Sequence, residues 1–258
     1  AAFCGVWGMI PSHGTIPCTG VLKLSETLDH IGTFANSPDD LALAIDAISG
    51  DDGIDPYTQG QAVTRLRTAL NGPLVRPRFA FLRGPTWGEM EPDCAARYEK
   101  LAADLGAEPR HMGDNFADIV DAHQTVMLAE IAYNMWPLME RGGPMLSDML
   151  RARLLKARNI GADDYLHMRA RISAMRMAFA EVIDDFDAAI TAPAPGEAPL
   201  GLENTGSRML TLTWTTLGVP AVNVPGITGA NGLPLGVQVV GRRGEDATVL
   251  RAAAWLGQ

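Results

Sequence analysis

"RPRFAFLRGPTWGEMEPDCAARYEKLAADLGA", residues 76–107, changes its periodicity halfway through, and that change decides the fold class. Bulky residues in alternation around Phe79, Phe81 and Leu82 make "RPRFAFLRG" a strand. From Pro92 the apolar residues recur at helical spacing until Gly106 stops the run. A strand feeding a helix is the unit of an α/β layer. Upstream, "NSPDDLALAIDAISG" (36–50) carries a full set of helix-start signals. Ser37 caps, Pro38 suits the first helical position, and Asp39 and Asp40 sit where the helix dipole favours acids. Leu41, Ala44, Ile45 and Ile48 are expected to line one face, with Gly50 ending the helix. The turn-rich "DDGIDPYTQG" (51–60) connects this helix to the segment leading into the strand.

Downstream, "FADIVDAHQTVMLAEIAYNM" (116–135) reads as a second long helix, expected to end near Trp136 because Pro137 cannot continue it without loss. Residues 146–186 are helical again, with Ile172, Met175, Phe179, Val182, Ile183 and Phe186 at core spacing. Met168, Met175 and Met177 read as gap-filling core residues. The last quarter turns to short strands broken by Pro and Gly, in "DAAITAPAPGEAP", "GVPAVNVPGI" and "LPLGVQVVGRR". Asn231-Gly232 marks a hairpin turn, and "EDATVLRAAAWLG" closes with an amphipathic helix.

Composition bounds the function. With 258 residues, 47% hydrophobic and 20% charged, the chain has an ordinary globular balance. A net charge of −9 argues against nucleic acid as a main partner. The basic tract Arg151, Arg153, Lys156, Arg158, Arg169, Arg171 and Arg176 follows helical spacing and reads as a solvated face. Charges, Gly or Pro interrupt every apolar run before the roughly 18 residues a membrane span requires. Cys4, Cys18 and Cys94 cannot all pair, which suits a reducing cytoplasm. The five histidines form no helical metal-binding pair, and no metal site is expected.

Four stretches together resemble the amidase signature family of serine amidohydrolases: "AAFCGVWGMIPSHGTIP", "SETLDHIGTFANSPDDLALAIDAISGDDGIDP", "DAAITAPAP" and "GVPAVNVPGITGANGLPLGVQVVG". They occur in the family's order. The resemblance implies an α/β/α sandwich around a mixed sheet, with residues 1–258 forming the C-terminal portion of a single domain. Residues 1–58 and 185–258 carry the matching core elements, and 59–184 form a variable, mostly helical substrate side. It further implies a cytoplasmic enzyme, often a homodimer, that hydrolyses a small-molecule carboxamide to carboxylate and ammonia. Its Ser-Ser-Lys centre needs no metal or organic cofactor, and no membrane or nucleic-acid partner is implied. Two other readings stay open: an A-type component of an aminoacyl-tRNA amidotransferase, and a non-catalytic binding or assembly remnant of the fold.

In that family the nucleophilic serine precedes the Ala-Ala-Phe-Cys-Gly stretch by a few residues, with the second serine and the lysine further back. All three are therefore expected upstream of Ala1, and no catalytic residue is expected within the 258 residues. Amide hydrolysis needs an activated nucleophile, donors for the developing oxyanion and a proton for the leaving amine. Lys23, Lys100 and Lys156 occupy polar positions where a charged, solvated amine is the expected state, and no GxSxG or SxxK motif occurs.

The resemblance also supplies candidates for the substrate pocket. Cys4 and Gly5 follow the nucleophile's position and form either the floor beneath it, on a helix, or a plain buried thiol. Glu130, Tyr133 and Asn134 project toward substrate, or else form a solvated i, i+4 pair beside a half-buried aromatic. Thr191 and Pro193 end a strand that Pro-x-Pro cannot extend, at the rim where ligands meet α/β sheets. Trp136 and Trp214 are weaker candidates, since large aromatics are usually core.

Overall fold

The computed structural model describes residues 1–258. Seven strands form one mixed sheet in the order β2-β1-β6-β7-β5-β3-β4: β1 (Trp7–Ile10), β2 (Thr33–Ala35), β3 (Phe79–Arg83), β4 (Glu108–His111), β5 (Ala188–Thr191), β6 (Ala221–Val224) and β7 (Val237–Val240). β3 runs parallel to both β4 and β5, and every other pairing is antiparallel. The eight helices are α1 (Pro38–Ile48), α2 (Leu66–Leu70), α3 (Pro92–Leu105), α4 (Ile119–Gly142), α5 (Asp148–Ala157), α6 (Ala162–Val182), α7 (Met209–Leu217) and α8 (Asp246–Leu256).

Two apolar layers flank the sheet. On one face Leu41, Ala42 and Ile45 of α1, Tyr98 of α3 and Val249 and Leu250 of α8 pack on Phe79, Phe81, Ile190, Val222 and Val239. On the other, Ile119 and Val126 of α4, Ile172, Met175 and Phe179 of α6, and Trp214 of α7 pack on Ala80, Leu82, Ala189, Ala221 and Val240. The molecule is thus an α/β/α sandwich. β3, β5, β6 and β7 are covered on both faces, which is why their sequences read as nearly continuous apolar runs.

Helix α1 starts as its sequence implies, with the Asp40 amide donating to Ser37 Oγ at 3.1 Å. Its buried face, however, is Leu41, Ala42 and Ile45, while Ile48 is exposed beyond the edge of the sheet. Helix α4 does not stop at Trp136; it runs through Pro137 to Gly142. The carbonyl that Pro137 deprives of a donor belongs to Tyr133, an exposed residue on the solvent side of the helix, where the loss of one backbone bond costs least. Met177 is exposed and only Met175 of the three methionines is fully buried. Arg176 departs from the solvated basic face, turning inward to donate from Nε to the Thr216 carbonyl at 3.1 Å. Helix α7 was not legible as a helix, because its Thr-rich "MLTLTWTTL" has weak propensity and is held by burial on several sides.

Candidate active site

Register aligns one row of side chains across five strands. Phe34 faces Gly8, Gly8 faces Asn223, Asn223 faces Gln238, and Gln238 faces Thr191, so all five share one face of the sheet. Gly8 contributes no side chain, and a Cβ there would sit 2.6 Å from the Ala1 Cβ. The resulting space is a cavity of about 340 Å³ whose walls include Phe3, Ile10, Phe34, Pro193 and Thr211, with Asn223 and Gln238 in the floor. It opens beside the C-terminal end of β5, a strand of the parallel part of the sheet, where open α/β sheets hold ligands.

The floor is polar in an apolar setting. Asn223 Nδ2 donates to the Val6 carbonyl at 2.9 Å, but Asn223 Oδ1 and Gln238 Oε1 have no donor. Both residues are only 7% exposed. Buried carbonyl oxygens without partners are costly, and the groups that match them are N–H donors such as a carboxamide NH₂. A mostly apolar cavity with a few convergent polar atoms is the usual architecture of a small-molecule site.

A model of the family named Amidase matches residues 1–250. The chain belongs to the amidase signature family. Its relatives include the A component of the glutamyl-tRNA(Gln) amidotransferase of Thermotoga maritima, 27% identical over 286 residues that cover 98% of this chain and 60% of that protein. The AtzE component of the 1-carboxybiuret hydrolase of Pseudomonas sp. strain ADP is 27% identical over 278 residues, covering 98% of this chain and 58% of the relative. Among solved structures, a crystal structure of an amidase superposes with a TM-score of 0.81 at 25% identity, covering 99% of this chain and 58% of that one. The chain therefore spans about 60% of the length of the curated relatives it matches.

Within this amidase fold the residues singled out from sequence do not converge. Pro193 lines the cavity, and Thr191 stands beside Gln238 in the sheet, its hydroxyl donating to the Leu82 carbonyl at 2.9 Å. Cys4 is exposed, at the end of a short 3-10 turn (Ala2–Cys4) that Gly5 ends in a left-handed conformation with φ 62°. The helix expected there is a single 3-10 turn, cut short by Gly5 and the start of β1 at Trp7, and the thiol is exposed, not buried. Tyr133 points into solvent at 81% exposure, and Asn134 reaches the Leu24 carbonyl at 3.4 Å. Trp214 is buried in the core, and Trp136 donates from Nε1 to Glu140 at 2.8 Å.

Glu130 is buried, not solvated. Its carboxylate accepts the Thr27 amide at 3.0 Å, the Thr27 hydroxyl at 2.9 Å, the Ser25 hydroxyl at 2.5 Å and the Tyr165 hydroxyl at 2.7 Å. Burial, followed by the bond to Glu130, pushes the Tyr165 phenol up to about 12. Glu130 therefore ties the 25–27 loop and α6 to α4. What sequence reasoning missed is the Asn223–Gln238 floor; its one signal was a single amide inside each of two fully apolar strands, "AVNV" and "VQVV".

Lys23, Lys100 and Ser12 are engaged elsewhere, and Lys156 is exposed on α5. Lys23 bonds Glu26 at 2.9 Å, which raises its pKa, and Lys100 bonds Asp104 at 2.6 Å. Ser12 donates to Asp246 Oδ2 at 2.7 Å and accepts the Gly244 amide at 2.8 Å. No three His, Cys, Asp or Glu side chains are grouped as a metal site would require. Three histidines are buried neutral: burial lowers His13 to about 3, with His30 and nearby arginines adding to it, and lowers His30 and His123 to about 4. In each, the folded pKa lies below the unfolded value near 6.5, so the unfolded chain binds the proton first. Their contribution to stability is complete above about pH 6.5 and is lost as pH falls toward 4. His123, bonded from Nδ1 to Thr216 Oγ1 at 2.8 Å, is the simplest to test. Urea titrations from pH 7 to 4.5 should show His123→Gln reducing the pH slope of stability by about 1 kcal/mol per unit. An unchanged slope would mean that His123 is protonated in the folded state.

Proposed function

We propose that this chain is the substrate-side portion of an enzyme that hydrolyses the C–N bond of a carboxamide to carboxylate and ammonia, through a serine nucleophile upstream of Ala1. One observation carries the reading. The cavity that Ala1, Ala2 and Phe3 border is lined by two amide side chains, Asn223 and Gln238, whose carbonyl oxygens have no donor within the chain and match the N–H groups of an amide once the side chains turn toward it. In this reading Phe3, Ile10 and Phe34 hold the acyl group, the floor orients the amide nitrogen, and a Ser-Ser-Lys centre supplies nucleophile and proton relay. Membership of the amidase family and the hydrolase among the relatives support it. Its setting is the cytoplasm and its assembly a homodimer, which native mass measurement would check.

The experiment is to label the full protein with a fluorophosphonate, map the adduct by peptide mass, and assay ammonia release from primary carboxamides. The adduct is expected on a serine preceding Ala1, with ammonia formed. An adduct on a serine within residues 1–258, or no turnover of any amide, would overturn the proposal. Asn223→Ala and Gln238→Ala should each raise KM about tenfold, the worth of one hydrogen bond to substrate. Because relatives include amidotransferase components, glutamine belongs in the panel. Turnover of glutamine alone, and only with a partner protein, would assign the chain to ammonia delivery instead.

A further inference from the structure

Where β6 begins and β7 ends, the C-terminal half of α6, the turn after α7 and the loop after β7 enclose a groove of about 300 Å³. Its floor is apolar, with Phe179, Leu217 and Val219, and three arginines border it: Arg176, Arg242 and Arg243. Arg242 has a counter-charge in Asp184 at 3.6 Å. Arg176 has none. Its Nε donates to the Thr216 carbonyl, its Nη2 is wholly buried without an acceptor, and burial together with the charges of Arg243 and Arg169 lowers its pKa to about 10. Arg243 bonds only the His13 carbonyl, at 3.0 Å.

None of the surrounding acids pairs with Arg176 or Arg243; those nearby bond neutral donors. Asp55 accepts the Cys18 and Tyr57 amides, Asp246 accepts the Ser12 amide and hydroxyl, and Glu245 on the groove accepts the Thr248 hydroxyl. Of the other titratable groups near Arg176, burial holds His13 and His30 neutral and raises the Tyr57 phenol. Of the three guanidinium groups on the groove, Arg176 and Arg243 have no ion-pair partner, and with Glu245 the only acid lining it the groove is net positive in a chain of net charge −9. A partly buried arginine with no ion-pair partner is unfavourable until an anion meets its remaining accessible donors, here those of Nη1.

We propose that this groove binds a small carboxylate with a short apolar body, its carboxylate between Arg176 and Arg243 and its body on Phe179, Leu217 and Val219. Glu245 at the edge disfavours a doubly charged phosphate, and the apolar floor offers it nothing. The test is calorimetric titration of the full protein with benzoate and, separately, with inorganic phosphate, at low ionic strength. Saturable one-site binding of benzoate is expected, weakened at least tenfold by Arg176→Gln and by Arg243→Gln. Arg243 is exposed, so its variant keeps the test valid if Arg176→Gln fails to fold. Absence of saturable benzoate binding, or binding that Arg243→Gln leaves intact, overturns the site. Phosphate binding more tightly than benzoate overturns the carboxylate assignment.

Discussion

Replacing Glu130 with alanine should destabilise the protein by about 4 kcal/mol, the range seen when one member of a buried charged network is removed. The carboxylate receives four donors, and three of them come from Ser25 and Thr27, both buried. Deletion strands all of these donors at once, away from water, and leaves a void against Tyr165. For a domain of this size the loss corresponds to a fall of roughly 10 °C or more in melting temperature. Glu130→Gln keeps one acceptor oxygen and should lose about half as much. A melting temperature within 2 °C of wild type for the alanine variant would show that water enters and satisfies the loop, removing Glu130 from the structural account. The threshold of 2 °C corresponds to roughly 1 kcal/mol or less for this size.

Gly236→Ala should lower stability by about 3 kcal/mol and depress amide turnover with it. Gly236 has φ 68°, where an L side chain is strained by about 1–2 kcal/mol. A Cβ there would also lie 2.3 Å from Asn223 Oδ1, so the floor amide must move, and overpacking of this kind costs about 1–3 kcal/mol. The Tyr98 hydroxyl, which donates to the Gly236 carbonyl at 2.8 Å, limits how far the backbone can retreat. Denaturant unfolding reads the first effect and ammonia release the second. A variant that is destabilised yet turns amide over at the wild-type rate would separate the floor from catalysis.

Much of the fold was legible because local signals and burial agree. The Ser37 cap, the Pro92 start and Gly106 stop of α3, and the Asn231-Gly232 turn between β6 and β7 each act within a few residues. Where tertiary contacts decide, the reading failed. Pro137 passes through α4 on its exposed side, Arg176 turns inward to a carbonyl on another helix, and α7 is a helix through its surroundings. The candidate site was harder still. The one local mark of Asn223 and Gln238 is an amide inside an otherwise apolar strand, and only the register of three strands brings them together beside Gly8. Glu130 was singled out, but its partners lie 103 and 105 residues earlier in the chain, beyond the reach of any helical spacing.

The pairing of β1 with β6 has a consequence for how the protein is made. Gly8 must wait for Asn223, and Ser12 for Asp246, 234 residues away. At roughly 5–20 residues per second, a ribosome takes roughly 10–40 s to synthesise the intervening chain. During that interval the strand around Trp7 and Met9 has β2 and α1 beside it, but the edge that β6 will occupy stays open, and open strand edges seek other partners. Folding therefore has to leave that edge of β1 unpaired until the last quarter of these 258 residues emerges, so the window for mispairing is set by the speed of translation and not by final stability.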